Sequence, residues 1–338
     1  MFTETTCHEA LRLTRRKALT LLGASPLLAH PALRAQTVAS GVVSMVVPYP
    51  AGGQADAVAR VVQAEFQRTL GQTVIVENAP GGSGSIAVSK VLSAAPDGRT
   101  LLVGTPLELI QAPLGLAAVK HKPEQFRMLR PIAGTSLLLL VRPDLPVATV
   151  AELVALAKKS SAKEMTYCSS GKGSIFHLVA ERFAIDTGVK LLQVPYRGGA
   201  QMLPALAGGE IDFGFIPLGG PVIGMIKTGR LKPLAITATA RHPALPEVPT
   251  MNETGLVKGF EFDAWAALLA SRALPDALAA KLNAAMGSVT ALPQVRKELE
   301  NAGMTMAAAM DLAAADRFYA AEAVRYQSIA KAIDLQPE

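Results

Sequence analysis

Cysteine is almost absent from this 338-residue chain, which carries only Cys7 and Cys168. A disulfide framework is excluded, so the fold must be held by its core. Histidine is scarce as well. Of five histidines, three (His121, His177 and His242) lie beyond residue 35, far apart and with no Cys or acid at ligand spacing, so no metal site is expected. Aromatic residues make up 5% of the chain, with a single Trp, and charged residues 18%. No cluster of Lys and Arg is interleaved with aromatics, which argues against a nucleic-acid surface. Long apolar runs are missing too: Leu19 to Leu28 is interrupted by Gly23, Ser25 and Pro26 and falls short of the roughly 20 residues that span a bilayer. Low-complexity tracts and internal repeats are also lacking, which disfavours a structural or adhesion module.

What is present begins with a segment to set aside. "TRRKALTLLGASPLLAHPALRA" has the three parts of an export signal: paired Arg15-Arg16, a modest apolar stretch and a small-residue site at Leu33-Arg34-Ala35. Residues 1–35 are therefore expected to be a cleaved, twin-arginine export signal. Without it, five basic and two acidic residues leave the count, so 33 minus 5 against 27 minus 2 gives a net charge of +3 rather than +6. Cys7 leaves as well. Cys168 is then a lone thiol, expected to be buried as a small hydrophobe at the end of the strand "MTYCSS".

The remaining chain, half apolar overall, alternates short β-branched runs with longer amphipathic ones. "VVSMVVPY", "TVIVENA" and "TLLVGT" read as strands, and "ADAVARVVQAEFQRTLG" and "GSIAVSKVLSAA" as helices. Apolar strands between helices predict an α/β fold with mainly parallel sheets covered on both faces. The pattern repeats after residue 145 with "TVAELVALAKKSSA", "MTYCSS", "IFHLVAERFAIDTG", "LLQVPY" and "IDFGFIP". "LLLLVRPDLPV" marks a first crossing between the two units. The chain is expected to return near residue 262, after a Pro-punctuated stretch of about twenty residues. This predicts two domains, 42–140 plus 262–338 and 141–261, with a hinged cleft between them.

Two glycine loops face that cleft. In "VVPYPAGGQADAVARVV", Gly52 and Gly53 sit between a strand and a helix. In such a turn the bare backbone N–H groups and the positive end of the helix dipole suit an anion. A side chain at either glycine is expected to take the anion's place. Asp56 fits a first-turn acid or a carboxylate that selects among ligands. The second loop, "YCSSGKGSIFHLVAERF", offers Ser169, Ser170 and Ser174 as donors, Gly171 and Gly173 as bare backbone, and Lys172 as the one charge that could meet a carboxylate. Two competing patterns fail on context. "GGSGSIA" is followed by no strand-terminal acid at dinucleotide spacing, and "GKGS" lacks the Lys-Ser/Thr step of a P-loop. A Cys168–His177 thiol hydrolase lacks a third, orienting residue.

"VPYPAGGQADAVARVV", "VENAPGGSGSIAVSKVLSAAPDGRTLLVGT", "VPYRGGAQMLPALAGGEIDFGF" and "GRLKPLAITATARHPALPEVPTMNETG", in that order, resemble the Bug family, the extracytoplasmic receptors of tripartite tricarboxylate transport systems. The likeness covers nearly all of residues 42 to 333. It implies a two-domain, type II periplasmic-binding-protein fold that closes on a small carboxylate, with no cofactor or metal. By position it implies ligand contacts at Tyr49, Ala51, Gly52, Gly53 and Asp56, at Thr105, at Ser169, Ser170, Gly173, Ser174 and His177, and at Tyr196, Arg197 and Gly198. The chain departs from the family at Lys172, at "IPL" after the "DFGF" strand, and at "TPLELIQAP", where a small polar segment is expected. The expected protein is a monomeric, non-enzymatic receptor of the Gram-negative periplasm that serves a membrane permease or a sensor kinase. The competing expectation is an exported hydrolase of a carboxylic ester or amide, working through Ser169, Cys168 or His177.

Overall fold

A computed structural model of the chain describes residues 41–159, 164–196 and 199–337. The expected export signal, Arg197 and Gly198 lie outside the described residues.

The strands are β1 (Val43–Val47), β2 (Val74–Asn78), β3 (Thr100–Gly104), β4 (Phe126–Val141), β5 (Met165–Ser169), β6 (Leu191–Pro195), β7 (Phe213–Pro217), β8 (Lys232–Ile236), β9 (Asp263–Ser271) and β10 (Thr305–Met306). Between and after them come α1 (Gln54–Leu70), α2 (Ser85–Ser93), α3 (Ala112–Gly115), α4 (Val150–Lys159), α5 (Ile175–Thr187), α6 (Gly199–Ala207), α7 (Gly220–Lys227), α8 (Asp276–Thr290), α9 (Pro293–Asn301) and α10 (Leu312–Ala332). The local rules are visible in α1. Val58, Val62 and Phe66 recur at helical spacing and are buried, and Gly71 ends the helix in the left-handed region at φ 66°. Helix α5 starts at an N-capping Ser174 and ends at Gly188, φ 67°. Among the described residues no helix is long and apolar enough to cross a membrane.

The strands form one curled sheet in the order β2-β1-β3-β9-β4-β7-β5-β6, with β10 and β8 also pairing with β4. The α/β class holds, and the outer pairs are parallel: β1 with β2 and β3, and β5 with β6 and β7. The middle differs from the sequence expectation. There β9 runs antiparallel to both β3 and β4, and β4 antiparallel to β7 and β8. The reason is the path of the chain, since β4 runs out toward the second half of the sheet and β9 comes back beside it.

The partner change is sharp. Residues Phe126 to Ser136 of β4 pair with β9, and Leu137 to Val141 pair with β7 and β8. Ser136 stands opposite Asp263, so the outgoing and returning chains pass side by side. Buried Thr237 ties them: its Oγ1 accepts from Leu137 N at 2.9 Å and donates to Phe262 O at 2.5 Å. Ser136 Oγ adds a bond to Asp263 Oδ1 at 2.5 Å. The few aromatics gather here, with neighbouring ring centroids 5.1–6.4 Å apart along Phe183, Phe260, Phe262 and Tyr326. Such pairs add about 0.5–1.5 kcal/mol each beyond their burial.

Cys168 is buried in β5, and burial pushes its thiol up to about 12. A Cβ added at Gly214 on the neighbouring strand would lie 2.3 Å from its Sγ. Gly214→Ala is therefore expected to destabilise the fold by about 1–3 kcal/mol through overpacking. Combined with Cys168→Ala, the loss should be smaller than the sum of the two single losses. Urea unfolding of the two single variants and the double measures this coupling, and strict additivity would show that the sulfur is not what excludes a side chain at 214.

Candidate functional site

The first loop is built by a carboxylate that faces inward. Asp56 is 2% exposed, and its Oδ2 accepts from Gly52 N at 2.8 Å and from Arg60 Nε at 2.9 Å. Its Oδ1 accepts from Asn78 Nδ2 at 2.9 Å, and the same Asn78 amide donates to Tyr49 O. The Arg60 guanidinium, with the Gly52 N–H and the Asn78 amide, holds the Asp56 carboxyl down at about 2 against the opposing effect of burial. Asp56 thus holds the loop in place and does not line the cavity. Gly52 gives its N–H to Asp56 and sits at φ 87°, and a Cβ there would meet nothing within 4 Å. Its backbone conformation calls for glycine. Gly53 caps α1 with no side-chain hydrogen bond, leaving the first-turn N–H groups without an intrahelical partner.

The second loop repeats this construction with other residues. Ser169 is fully buried, and its Oγ accepts from Gln193 Nε2 at 2.7 Å and from Gly171 N at 3.1 Å. Ser174 Oγ donates to Gly171 O at 2.7 Å and accepts from His177 N at 3.4 Å. His177 Nδ1 accepts from Gly173 N at 3.1 Å, which puts the ring proton on Nε2, 3.9 Å from Glu181 Oε1. Burial, and after it the charge of Lys172, pulls His177 down to about 4, so the ring is neutral near neutral pH. Gly173 sits at φ 75°, and a Cβ there would lie 3.0 Å from Gly115 Cα at the end of α3. Two bare backbones are in contact at that point.

Between the loops lies a cavity of about 390 Å³. The N-terminus of α1 reaches it through Gly53, Gln54 and Ala55, and that of α5 through Ser174, Ile175 and Phe176. Each helix start carries roughly half a positive charge, so together they offset about one anionic group. Tyr49, Thr105, Gln111 and Ser170 supply side-chain polarity, and Leu107, Pro217 and Trp265 an apolar wall. No Lys, Arg, His, Asp or Glu lines it among the described residues. Two further cavities, of about 690 and 420 Å³, share Thr135 and the Leu218–Pro221 and Ala302–Met304 stretches. Gln54 lines the smaller of these as well as the loop cavity, and its Nε2 donates to Thr135 Oγ1 at 2.7 Å. Only the 390 Å³ space among these three meets both helix starts.

Of the positions singled out in the sequence, Tyr49, Gly53, Thr105, Ser170 and Ser174 line this cavity. Asp56, Ser169 and His177 lie behind it as supports, with Gly52 and Gly173 shaping the turns. Ala51 and Lys172 are exposed and do not line it. Tyr196 packs against the cluster around Met202 and Leu206, and its N–H donates to Ser169 O at 2.8 Å.

Sequence reasoning missed Glu108, Gln111, Phe176 and Trp265. Glu108 lies on a π-helical turn, Leu107–Gln111, a rare form that often marks functional sites. It is fully buried. Its Oε2 accepts from Tyr49 Oη at 2.5 Å and Thr105 Oγ1 at 2.6 Å, and its Oε1 from Thr105 N at 2.5 Å. Burial pushes this carboxyl up, against the pull of those donors. Gly84, from the "GGSGSIA" string, makes room for it: a Cβ there would be 2.4 Å from Glu108 Cβ. The available signal was the acid inside "TPLELIQAP", the segment that departs from the Bug pattern.

Cys168 is buried with a raised thiol pKa, Ser169 Oγ is turned to Gln193 and Gly171, and no group of three or more His, Cys, Asp or Glu is placed to hold a metal ion among the described residues. The comparisons with known proteins point the same way. The family described as "Tripartite tricarboxylate transporter family receptor" matches residues 58–335. An Agrobacterium vitis protein, the UPF0065 protein in the TAR-I ttuE-ttuC' intergenic region, is 34% identical over 297 residues, covering 86% of this chain and 84% of its own. An R. palustris protein solved with adipate is 31% identical with a TM-score of 0.71, over 89% of this chain and 99% of its own. MatC from Rhodopseudomonas palustris, solved with bound malate, is 29% identical with a TM-score of 0.67, over 86% of this chain and 98% of its own. The family match runs through both halves of the sheet, and the chain belongs to the tripartite tricarboxylate transporter receptor family, a family of solute-binding receptors rather than enzymes.

Proposed function

We propose that this protein captures a small carboxylate-bearing solute in the 390 Å³ cavity and delivers it, in the periplasm of a Gram-negative bacterium, to a tripartite-type membrane permease or a sensor. The observation that carries the reading is the pair of helix N-termini, α1 and α5, opening on one cavity whose described lining holds no charged side chain. Such a site binds an anion through backbone dipoles, hydroxyls and water. Tyr49, Gly53, Thr105, Ser170 and Ser174 are the expected contacts among the positions read from the sequence. The dicarboxylates in the R. palustris relatives support the ligand class.

Capture closes two lobes, divided where β4 changes partners at Ser136–Leu137 and where the chain returns at Phe262–Asp263. The ligand closes them because it touches both, so the closed form gains affinity that the open form lacks. The test is thermal unfolding of protein lacking residues 1–35, freed of carried-over ligand by unfolding and refolding, against a panel of carboxylic acids. A ligand at about 100 times its Kd adds roughly 2.7 kcal/mol, a Tm rise of several degrees. No shift with any acid, or turnover of an ester or amide, overturns the proposal.

A further inference from the structure

The cavity has two chemically unlike parts, and the second is set by a residue that does not touch it. Tyr49 and Thr105 line the cavity, but both hydroxyls donate to the same oxygen of buried Glu108, at 2.5 and 2.6 Å. The two hydroxyl oxygens are also hydrogen-bonded to each other at 2.9 Å, so the protons of both are held within the Tyr49–Thr105–Glu108 cluster and turned from the interior. Thr105 Oγ1 also accepts from Leu107 N at 3.2 Å, which keeps that hydroxyl in place. Gln111 lines the same cavity, but its unpartnered Oε1 is buried and does not open on it. The Tyr49 and Thr105 oxygens therefore border a space that has no cationic side chain in its described lining. A buried acceptor left unmatched costs about 1–3 kcal/mol, so this part of the site calls for a donor on the ligand.

We propose that Glu108 makes this receptor selective for a monocarboxylate that carries a hydrogen-bond donor, a hydroxyl or an ammonium, at a distance from its carboxylate, and makes it reject dicarboxylates. The inference rests on the reading of the cavity as a carboxylate site. The two helix starts offset about one negative charge, and that is spent on the first carboxylate. A second carboxylate would bring only acceptors to Tyr49 and Thr105, with Glu108 behind them. Adipate, found in an R. palustris relative, is then a poor ligand here, and the same carbon chain with one end changed is a good one. Glu108 acts through Tyr49 and Thr105 and is a positioning residue.

The experiment is calorimetric titration at pH 7.5 of the refolded protein lacking residues 1–35 with two matched series. One is hexanoate, 6-hydroxyhexanoate, 6-aminohexanoate and adipate; the other is butyrate, 4-hydroxybutyrate, 4-aminobutyrate and succinate. In at least one series the hydroxy or amino acid should bind at least tenfold more tightly than the diacid and more tightly than the plain acid. Glu108→Gln, which can keep the Thr105 N–H bond while its amide donates to the two hydroxyls and turns their protons to the cavity, should shift the hydroxy-acid to diacid ratio at least tenfold toward the diacid. Tyr49→Phe should weaken the hydroxy and amino acids more than it weakens the plain acid of the same series. A diacid that binds wild type as tightly as its hydroxy partner overturns the inference even if Glu108→Gln does not fold. So does absence of binding by both series while another acid of the wider panel binds. Absence of binding by every acid overturns carboxylate capture itself.

Discussion

Asp56→Ala is expected to abolish ligand binding and to destabilise the fold by about 2–4 kcal/mol. The Asp56 carboxylate is the common acceptor for Gly52 N, Arg60 Nε and Asn78 Nδ2. Its loss leaves a buried amide and part of a backbone turn unmatched, at about 1–3 kcal/mol per group. It also releases the φ 87° conformation of Gly52 that aims the start of α1. Asp56→Asn, which keeps the shape but not the charge, should fall between alanine and wild type. The pH dependence has a fixed sign. The carboxyl is lowered from an ordinary 3.8 to about 2 in the native state, so its contribution is complete above about pH 4 and is lost as pH falls toward 2. Urea midpoints from pH 5 to pH 2, with and without the substitution, read this out. Two curves that stay parallel across that range would mean that Asp56 is not held ionised by the loop. A native-like Kd in Asp56→Ala would mean that the loop keeps its shape without it.

Trp265→Ala should be the most damaging change in β9, at about 3–5 kcal/mol, the usual range for removing a buried large aromatic side chain. Trp265 is 3% exposed and contacts Phe318 and Tyr319 at ring-centroid distances of 6.4 and 6.2 Å. Its Nε1 donates to Glu322 Oε2 at 3.1 Å, and Glu322 is itself only 5% exposed. Truncation therefore opens a void beside the ligand cavity and takes a donor from a buried acid. Binding should weaken at least tenfold as the apolar wall recedes. Trp265→Phe, which fills more of the space but gives Glu322 no donor, should lose less stability than alanine. Equal losses in the two variants would place the whole effect on the Glu322 bond, and an unchanged Kd in Trp265→Ala would remove Trp265 from the binding wall.

The α/β alternation and the two glycine loops were legible because they rest on local signals: apolar periodicity, strand length and turn residues. The strand beginning at Asp263 was legible from a Pro-rich stretch followed by an apolar run. The long β4, antiparallel to its neighbours, was not, because strand direction depends on which distant segment a strand meets. The loop side chains show the same division. Their positions follow from the motif, yet whether Asp56, Ser169 and His177 face the ligand or the loop behind it is decided by Asn78, Gln193 and Gly173, partners that no spacing rule identifies. Glu108 was hidden for a related reason. An acid in an apolar run is suspect by composition, but its role needs Tyr49, 59 residues earlier in the chain, and the room left by Gly84.

The chain has one tryptophan, and it lies in the wall of the cavity, two residues past the start of β9 at Asp263. Ultraviolet light at the red edge of protein absorption therefore excites a single indole, and its emission carries no background from the rest of the fold. If a solute fills this cavity as proposed, it lies beside that ring, and occupancy is expected to be read from the colour and yield of one residue. The receptor needs no dye to be followed, and the rates of capture and release are open to stopped-flow measurement on the native chain.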